Sequence, residues 1–545
     1  MKIIIVGGVA GGATAAARIR RINETIEIVI YEKSNYVSYA NCGLPYYIGD
    51  QIINKDNLTL ASKESLWKRY RINVKTSHEV LDIIPNEKMV IVKDLNTNEV
   101  FYDSYDKLLL APGAKPISLD FLKEYSNVFS LRTIEDSYKI KEYISENKPS
   151  NALIIGGGFI GIEMAENLSN LGINVTIIQK DEQILNMLDK EIAIIALKHI
   201  REKGVQVLLN SDAKEILKNH KFDLIITSVG IIPDSSLAIK AKLEMTNSKA
   251  ILVDSHMQTS APDIYAVGDA VEIKHIVINN NRLISLAGPA NKEARVAADN
   301  ICGLNSTYKG SLASSVIKVF DMTVASTGIT EKEAKKLGLK YEKVILSPAN
   351  HATYYPNSSV MTLKVIYEKG TLRILGAQAI GNEGVEKRID VIATAIYAKL
   401  GALELKDLDL SYAPPYSSAK DPVNMAGFII DNIENGIVKQ FHFEEIEQLR
   451  LQDDVILLDT RTIQEYQRGH ASGFINIPLD ELRDNIDKLD KNKKIYVMCQ
   501  SGMRSYLATR ILIKNGYDAY NFSGGYKLYS YLNDEYYDRL IKNIS

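Results

Sequence analysis

One grammar is written twice in this chain: an apolar strand, a glycine turn, a helix and a second apolar strand. Residues 2–6 (K-I-I-I-V) read as a buried parallel strand, followed by a glycine turn and an alanine-rich helix over 13–21. The strand I-E-I-V-I-Y at 26–31 completes the unit. Residues 151–178 repeat it with N-A-L-I-I, the turn G-G-G-F-I-G, a helix through Leu171 and I-N-V-T-I-I. A glycine turn opening a helix brings backbone N–H groups against a diphosphate. Two copies predict two Rossmann-like nucleotide-binding domains in an α/β chain.

In the first copy Gly7, Val9 and Gly12 take the three positions of G-x-G-x-x-G. Gly8 and Gly11 add backbone freedom around the departure at Val9. Glu32 ends the second strand, where a carboxylate bonds a ribose hydroxyl. The second copy is complete, with Gly156, Gly158 and Gly161, but its strand ends on Gln179 and Lys180. No carboxylate there selects a free 2′-hydroxyl, and Lys180 either faces a 2′-phosphate or is simply solvated. The balance leans to NADPH or dual use. A third landmark, D-I-Y-A-V-G-D-A (263–270), is a short strand ending in Gly268-Asp269.

After Gly310 the pattern changes to mixed strands (316–320, 362–367) and amphipathic helices, and it shifts again near Gly436. A small α/β unit follows from about residue 440, long enough for an independent domain. At 545 residues the chain exceeds one core. A net charge of -2 gives no electrostatic case for nucleic acid or an anionic membrane. No run approaches the roughly 18 apolar residues of a membrane span, and the N-terminus lacks a signal-peptide pattern. The expectation is a cytoplasmic protein with reduced thiols and no metal site.

Three cysteines cannot build a disulfide framework. Cys42, in Y-A-N-C-G-L-P-Y, and Cys499, in V-M-C-Q-S-G-M-R-S, each open a glycine-containing turn with no second cysteine nearby. Cys302 reads as packing. A lone thiol can alternate between thiolate and mixed disulfide, which is disulfide or persulfide reduction. It can also alternate between thiolate and sulfenic acid, which is oxygen or peroxide reduction. Either use calls for partial exposure and a lowered pKa at Cys42. Arg18 and Arg21, at i and i+3 with Thr14 one turn before, form either a phosphate-binding surface or an ordinary solvated face.

Taken in order, these motifs resemble the two-dinucleotide flavoprotein disulfide reductases. L-L-L-A-P-G-A (108–114) matches the crossover before their inserted domain, Gly268-Asp269 the returning FAD strand, and 314–330 the start of their dimerisation domain. Most members use a C-x4-C pair, whereas Tyr47 stands in the second position here. The run G-G-V-A-G-G-A-T-A-A-A-R-I-R-R with S-Y-A-N-C-G-L-P-Y is similar to the coenzyme A disulfide reductases and their persulfide-reducing relatives. That resemblance implies FAD on the first unit, NAD(P)H on the second, and coenzyme A disulfide or persulfide as substrate of a homodimer. It implies that Thr14, Arg18, Arg21, Ser38 and Asn41 line the coenzyme A channel and that Lys420 contacts substrate. Tyr354 and Tyr412 would reach Cys42 of the partner subunit as proton donors.

Residues 457–478 and the loop C-Q-S-G-M-R-S (499–505) resemble a rhodanese, with Cys499 carrying a persulfide in a loop bounded by Arg504 and followed by a helix from about Tyr506. The expected organisation is FAD binding by 1–112 and 255–310, NAD(P)H binding by 113–254, dimerisation by 311–436 and a rhodanese domain at 440–545. The expected function is NAD(P)H-dependent reduction of coenzyme A disulfide or persulfide coupled to sulfur transfer. The alternative is an NAD(P)H oxidase or peroxidase cycling through sulfenic acid.

Overall fold

The computed structural model describes residues 1–544, with side chains through residue 535. The chain falls into two compact units, Met1–Ile184 with Gly204–Ala313, and Leu185–Lys203 with the chain from Ser314 onward. In the first unit, strand Lys2–Val6 lies between Glu27–Glu32 and Lys107–Leu110, and Asn73–Thr76 and Ile264–Ala266 extend the sheet on either side. All its pairings are parallel. Ile3, Ile4 and Ile5 are fully buried, which is why an inner parallel strand reads as an unbroken apolar run. Each such side chain contributes about 1.5–3 kcal/mol relative to exposure. Strands Asn151–Ile155, Asn174–Ile178, Gln206–Leu208, Leu224–Thr227 and Val128–Ser130 form a second all-parallel sheet.

The helix after the first strand spans Ala10–Ile22, starting three residues earlier than expected because Gly11 and Gly12 lie inside its first turn. A Cβ on Gly12 would stand 1.8 Å from the Gly7 carbonyl oxygen, and one on Gly161 would stand 2.0 Å from that of Gly156. Only glycine permits that closure between strand and helix. By contrast, a Cβ on Gly158 would meet nothing within 4 Å. That freedom accounts for Val9 at the matching position of the first copy.

The second unit holds an antiparallel sheet in the order Ser315–Val319, Met322–Gly328, Ile374–Gly381, Thr362–Glu368, Tyr341–Leu346. A parallel sheet follows in the order Lys439–Phe441, Ala519–Phe522, Lys494–Met498, Val455–Asp459, Ile475–Asn476. The C-terminal sheet does not stand apart from the antiparallel one. Gln440 Nε2 donates to the Lys343 carbonyl at 2.6 Å, and the Ile345 N–H donates to Ser523 Oγ at 3.0 Å. Beside these bonds Lys343 and Lys364, both buried, are ringed by Asp189, Glu191, Glu331 and Glu444. Among the described residues, no helix is long and apolar enough to cross a membrane.

Candidate functional site

Both glycine turns end in the same bond. The Gly8 N–H donates to Glu32 Oε2 at 2.7 Å, and the Gly157 N–H donates to Gln179 Oε1 at 2.8 Å. Gln179 therefore fills the station of Glu32 with a neutral amide, a correspondence visible in its place at the strand end. Burial pushes the Glu32 carboxyl up, against the lowering by the Ser34 and Gly8 N–H groups. Lys180 is exposed. The helices Ala10–Ile22 and Phe159–Asn170 have no capping side chain and no acidic residue in their first turn. Uncapped N–H groups beside a strand-end acceptor, buried at Glu32 and half-buried at Gln179, fit a dinucleotide diphosphate and ribose.

Asp269 accepts from Arg132 Nη2 at 2.6 Å, and the Gly268 N–H donates to Glu293 at 2.7 Å. Burial pushes Glu293 up to about 7. A Cβ on Gly7 would stand 2.2 Å from the Ala111 carbonyl oxygen, and one on Gly156 would stand 2.5 Å from that of Ser228, so both turns run close against the neighbouring strand ends.

Cys42 lies in the single turn Asn41–Gly43, ahead of helix Leu44–Ile48. It is exposed, while Asn41 Oδ1 is buried with no partner, leaving an acceptor free for a bound group. Tyr47 is buried with the Lys141 ammonium 4.0 Å from its ring centre, so no second thiol stands there. The lowered thiol pKa expected of Cys42 is not supplied by the chain's own groups. Desolvation pushes the thiol up, and the Glu163 and Asp269 carboxylates add to it. Arg132 alone pulls down, and it is already paired with Asp269.

Burial also pushes Glu163 up to about 7, and it accepts from the Tyr46 hydroxyl at 3.3 Å. Replacing Glu163 with glutamine removes a like charge from beside the thiol. Alkylation of Cys42 by iodoacetamide is then expected to be several-fold faster at neutral pH, with its pH midpoint moved down. An unchanged midpoint would mean that Glu163 does not govern the thiol.

Of the channel candidates, Thr14 Oγ1 donates to Asn291 Oδ1 at 2.6 Å and Arg18 Nε to Asp299 Oδ1 at 2.8 Å, while Arg21 is exposed. Asn291 and Asp299 come from helix Ala287–Ile301 and carry no signal in the first helix itself. The Ser38 N–H donates to the Gly8 carbonyl at 2.8 Å, placing that segment against the first glycine turn. In the second unit, the Tyr354 and Tyr412 hydroxyls meet at 2.8 Å, and both side chains are exposed, as is Lys420. Cys302 packs against the core of the first unit.

Cys499 is buried at the end of its strand. Its Sγ accepts from the Gly502 N–H at 3.1 Å and from Ser505 Oγ at 3.3 Å. The following helix begins at Met503, three residues earlier than expected. Arg504 forms a two-pronged pair with Glu465 at 2.6 and 2.7 Å, and that pairing holds Glu465 down at about 2. Arg461, paired with Asp459 and stacked 3.7 Å from the Tyr526 ring centre, was not singled out from sequence. Among the described residues no group of three His, Cys, Asp or Glu side chains could hold a metal ion.

Two glycine turns of the dinucleotide-binding kind and one exposed thiol in a single unit define a pyridine-nucleotide flavoprotein. The chain belongs to the pyridine nucleotide-disulphide oxidoreductase family, which residues 1–294 match; residues 314–422 match that family's dimerisation domain, and residues 443–531 match a rhodanese-like domain. Members use FAD and NAD(P)H.

Over 437 residues the chain is 36% identical to the coenzyme A disulfide reductase of Staphylococcus aureus (strain JH9), covering 78% of this chain and 99% of that protein. The crystal structure of reduced Bacillus anthracis CoADR-RHD is 44% identical, with a TM-score of 0.95 and 98% of each chain covered. The NAD-dependent persulfide reductase of A. fulgidus is 35% identical, with a TM-score of 0.91, over 97% of this chain and all of that one (100%).

Proposed function

We propose that this protein reduces coenzyme A disulfide or coenzyme A persulfide with NAD(P)H through the single thiol of Cys42, and transfers sulfur through Cys499. The observation that carries the reading is the solitary exposed Cys42 opposite a buried Tyr47, in a unit with two dinucleotide cradles. A thiol without a protein partner must take that partner from a diffusible molecule. The names of the S. aureus and A. fulgidus relatives support the same substrate class.

In this reading Gly7, Gly8, Gly12, Glu32 and Asp269 hold FAD, and Gly156, Gly158, Gly161 and Lys180 hold NAD(P)H. Bound FAD supplies two-electron transfer between the nicotinamide and the Cys42 sulfur. Thr14, Arg18, Arg21, Ser38, Asn41 and Lys420 receive coenzyme A, and the Tyr354–Tyr412 pair donates a proton to the departing thiolate. At Cys499 the Gly502 N–H and the Ser505 hydroxyl stabilise a thiolate and the persulfide built on it. The protein acts as a cytoplasmic homodimer.

The test is the mass of the oxidised, purified protein after digestion around Cys42. A coenzyme A adduct released by dithiothreitol is expected. Sulfenic or higher oxides alone, after exposure to coenzyme A disulfide, would overturn the reading in favour of oxygen or peroxide reduction.

A further inference from the structure

Tyr354 and Tyr412 are exposed, so packing around their rings does little to make their hydroxyls meet. Their contact is set by the backbones that carry them, and these two segments converge on one buried cation. Arg388, on helix Val385–Tyr397, is 1% exposed. Its Nη2 is shared among the Asn350 carbonyl at 3.0 Å, the Tyr416 carbonyl at 3.3 Å, Ser417 Oγ at 3.0 Å and Asp421 Oδ2 at 2.9 Å. Asn350 belongs to the segment that leads into Tyr354, and the other three belong to the segment that follows Tyr412.

The same junction is reinforced without Arg388. The Ala352 N–H donates to the Ser417 carbonyl at 3.1 Å, and Ser417 Oγ donates to Asp421 Oδ2 at 2.7 Å. Asp421 Oδ1 in turn accepts from the Val423 N–H, anchoring the second segment to helix Pro422–Glu434. One guanidinium thus ties a helix to both loops. Its length suits this, because a lysine ammonium stops one bond short of Nη2, and Nη1 donates at the same time to the Gly384 carbonyl at 3.0 Å.

We propose that Arg388 is a positioning residue that holds Tyr354 and Tyr412 at hydrogen-bonding distance and so prepares the phenol pair for proton donation. Its catalytic consequence rests on the function proposed above, but the geometric claim does not. The hydrogen bond from Tyr354 pushes the Tyr412 phenol above its ordinary range, with smaller desolvation and charge effects from the same neighbour. His351, Glu383, Glu386, Lys387, Arg388 and Tyr416 are the titratable or charged groups that share the cleft with Tyr412. None of them replaces the Tyr354 hydroxyl as its partner at 2.8 Å.

The test is Arg388→Lys in the FAD-loaded protein, which keeps a cation opposite Asp421 but cannot reach both loops. Phenol ionisation is followed by ultraviolet difference titration, with Tyr412→Phe subtracted to isolate the pair. The Tyr412 signal is expected to move down towards the ordinary tyrosine range of about 10. Coenzyme A disulfide turnover is expected to fall about 10- to 100-fold in kcat, the penalty of ångström-scale misplacement, while flavin reduction by NAD(P)H continues. If Arg388→Lys does not fold, Ser417→Ala, which removes one acceptor of the clamp and leaves the Arg388–Asp421 pair, is read in the same way. A folded variant with the wild-type titration overturns the proposal whatever its turnover. A shifted titration without any coenzyme A disulfide activity in the wild type would sink the substrate reading and leave the role of Arg388 intact.

Discussion

Replacing Cys42 with serine is expected to lower NAD(P)H-dependent turnover of coenzyme A disulfide by at least about 10³-fold, the scale of losing a nucleophile. In the proposed reaction the Cys42 thiolate attacks one sulfur of the substrate disulfide, so that bond breaks, a Cys42–coenzyme A disulfide forms and one coenzyme A leaves as its thiolate. Two electrons then restore the Cys42 thiolate and release the second coenzyme A. With coenzyme A persulfide, attack on the outer sulfur releases coenzyme A, and the same two electrons release hydrosulfide. A serine hydroxyl does neither step, because it does not form a stable anion at neutral pH and its bond to sulfur offers no comparable exchange.

Stopped-flow absorbance separates the two halves of the cycle. Bleaching of the flavin by NAD(P)H is expected in the serine variant, and its reoxidation by coenzyme A disulfide is expected to vanish. Tyr47, which takes the place of the second cysteine of a C-x4-C pair, is buried beneath Lys141. Retention of turnover within about tenfold of wild type would remove Cys42 from the mechanism.

What was legible in the sequence is what close backbone contact forces on it. Gly7 and Gly12 are dictated by a carbonyl that leaves no room for a side chain, so the motif survives as letters. The helix starts were misplaced at both Ala10 and Met503, because glycines inside or beside a first turn look like loop. The α/β character, the dimerisation unit and the rhodanese-like loop were legible because each is carried by local pattern. Groups whose meaning depends on distant partners were not legible. Glu163 reads as a helix residue two places after the second glycine motif, yet its carboxylate joins desolvation and Asp269 in opposing Cys42 ionisation. Arg388 reads as an ordinary helix cation until Asn350, Ser417 and Asp421 surround it. Lys364 lies in T-L-K-V-I-Y, and only the structure shows that strand buried on both faces.

Replacing that lysine with methionine is expected to destabilise the second unit by about 3–5 kcal/mol, the penalty for breaking a buried ion pair from one side. Lys364 Nζ lies 3.1 Å from Asp189, 2.9 Å from Glu191 and 2.7 Å from Glu331. Lys343 reaches Glu191, Glu331 and Glu444 from the neighbouring strand. Burial alone would push these carboxyls up, but Lys364 and Lys343 outweigh it and hold Glu191 and Glu331 below their ordinary range. Glu444 is held at about 2, with Lys343 and Lys190 overcoming its burial.

The sign of the pH dependence follows. Lowered carboxylates contribute stability that is present above their unfolded value of about 4.3 and is lost as pH falls through the folded values. Burial opposes the charge on the two lysines, but the carboxylates raise both above their ordinary range. Their contribution is therefore complete below about 10.4 and is lost only in strong alkali. Methionine leaves the carboxylates facing one another with only part of their counter-charge, so they become easier to protonate than in the wild type. Acid then relieves the variant before it harms the parent. In scanning calorimetry the gap between the two proteins is expected to be wide at pH 7 and narrower at pH 5. Because Glu444 belongs to the rhodanese-like segment, the C-terminal sheet is expected to share in the early transition. A gap that is equal at both pH values would show that Lys364 stabilises through its packed alkyl stem instead of its charge.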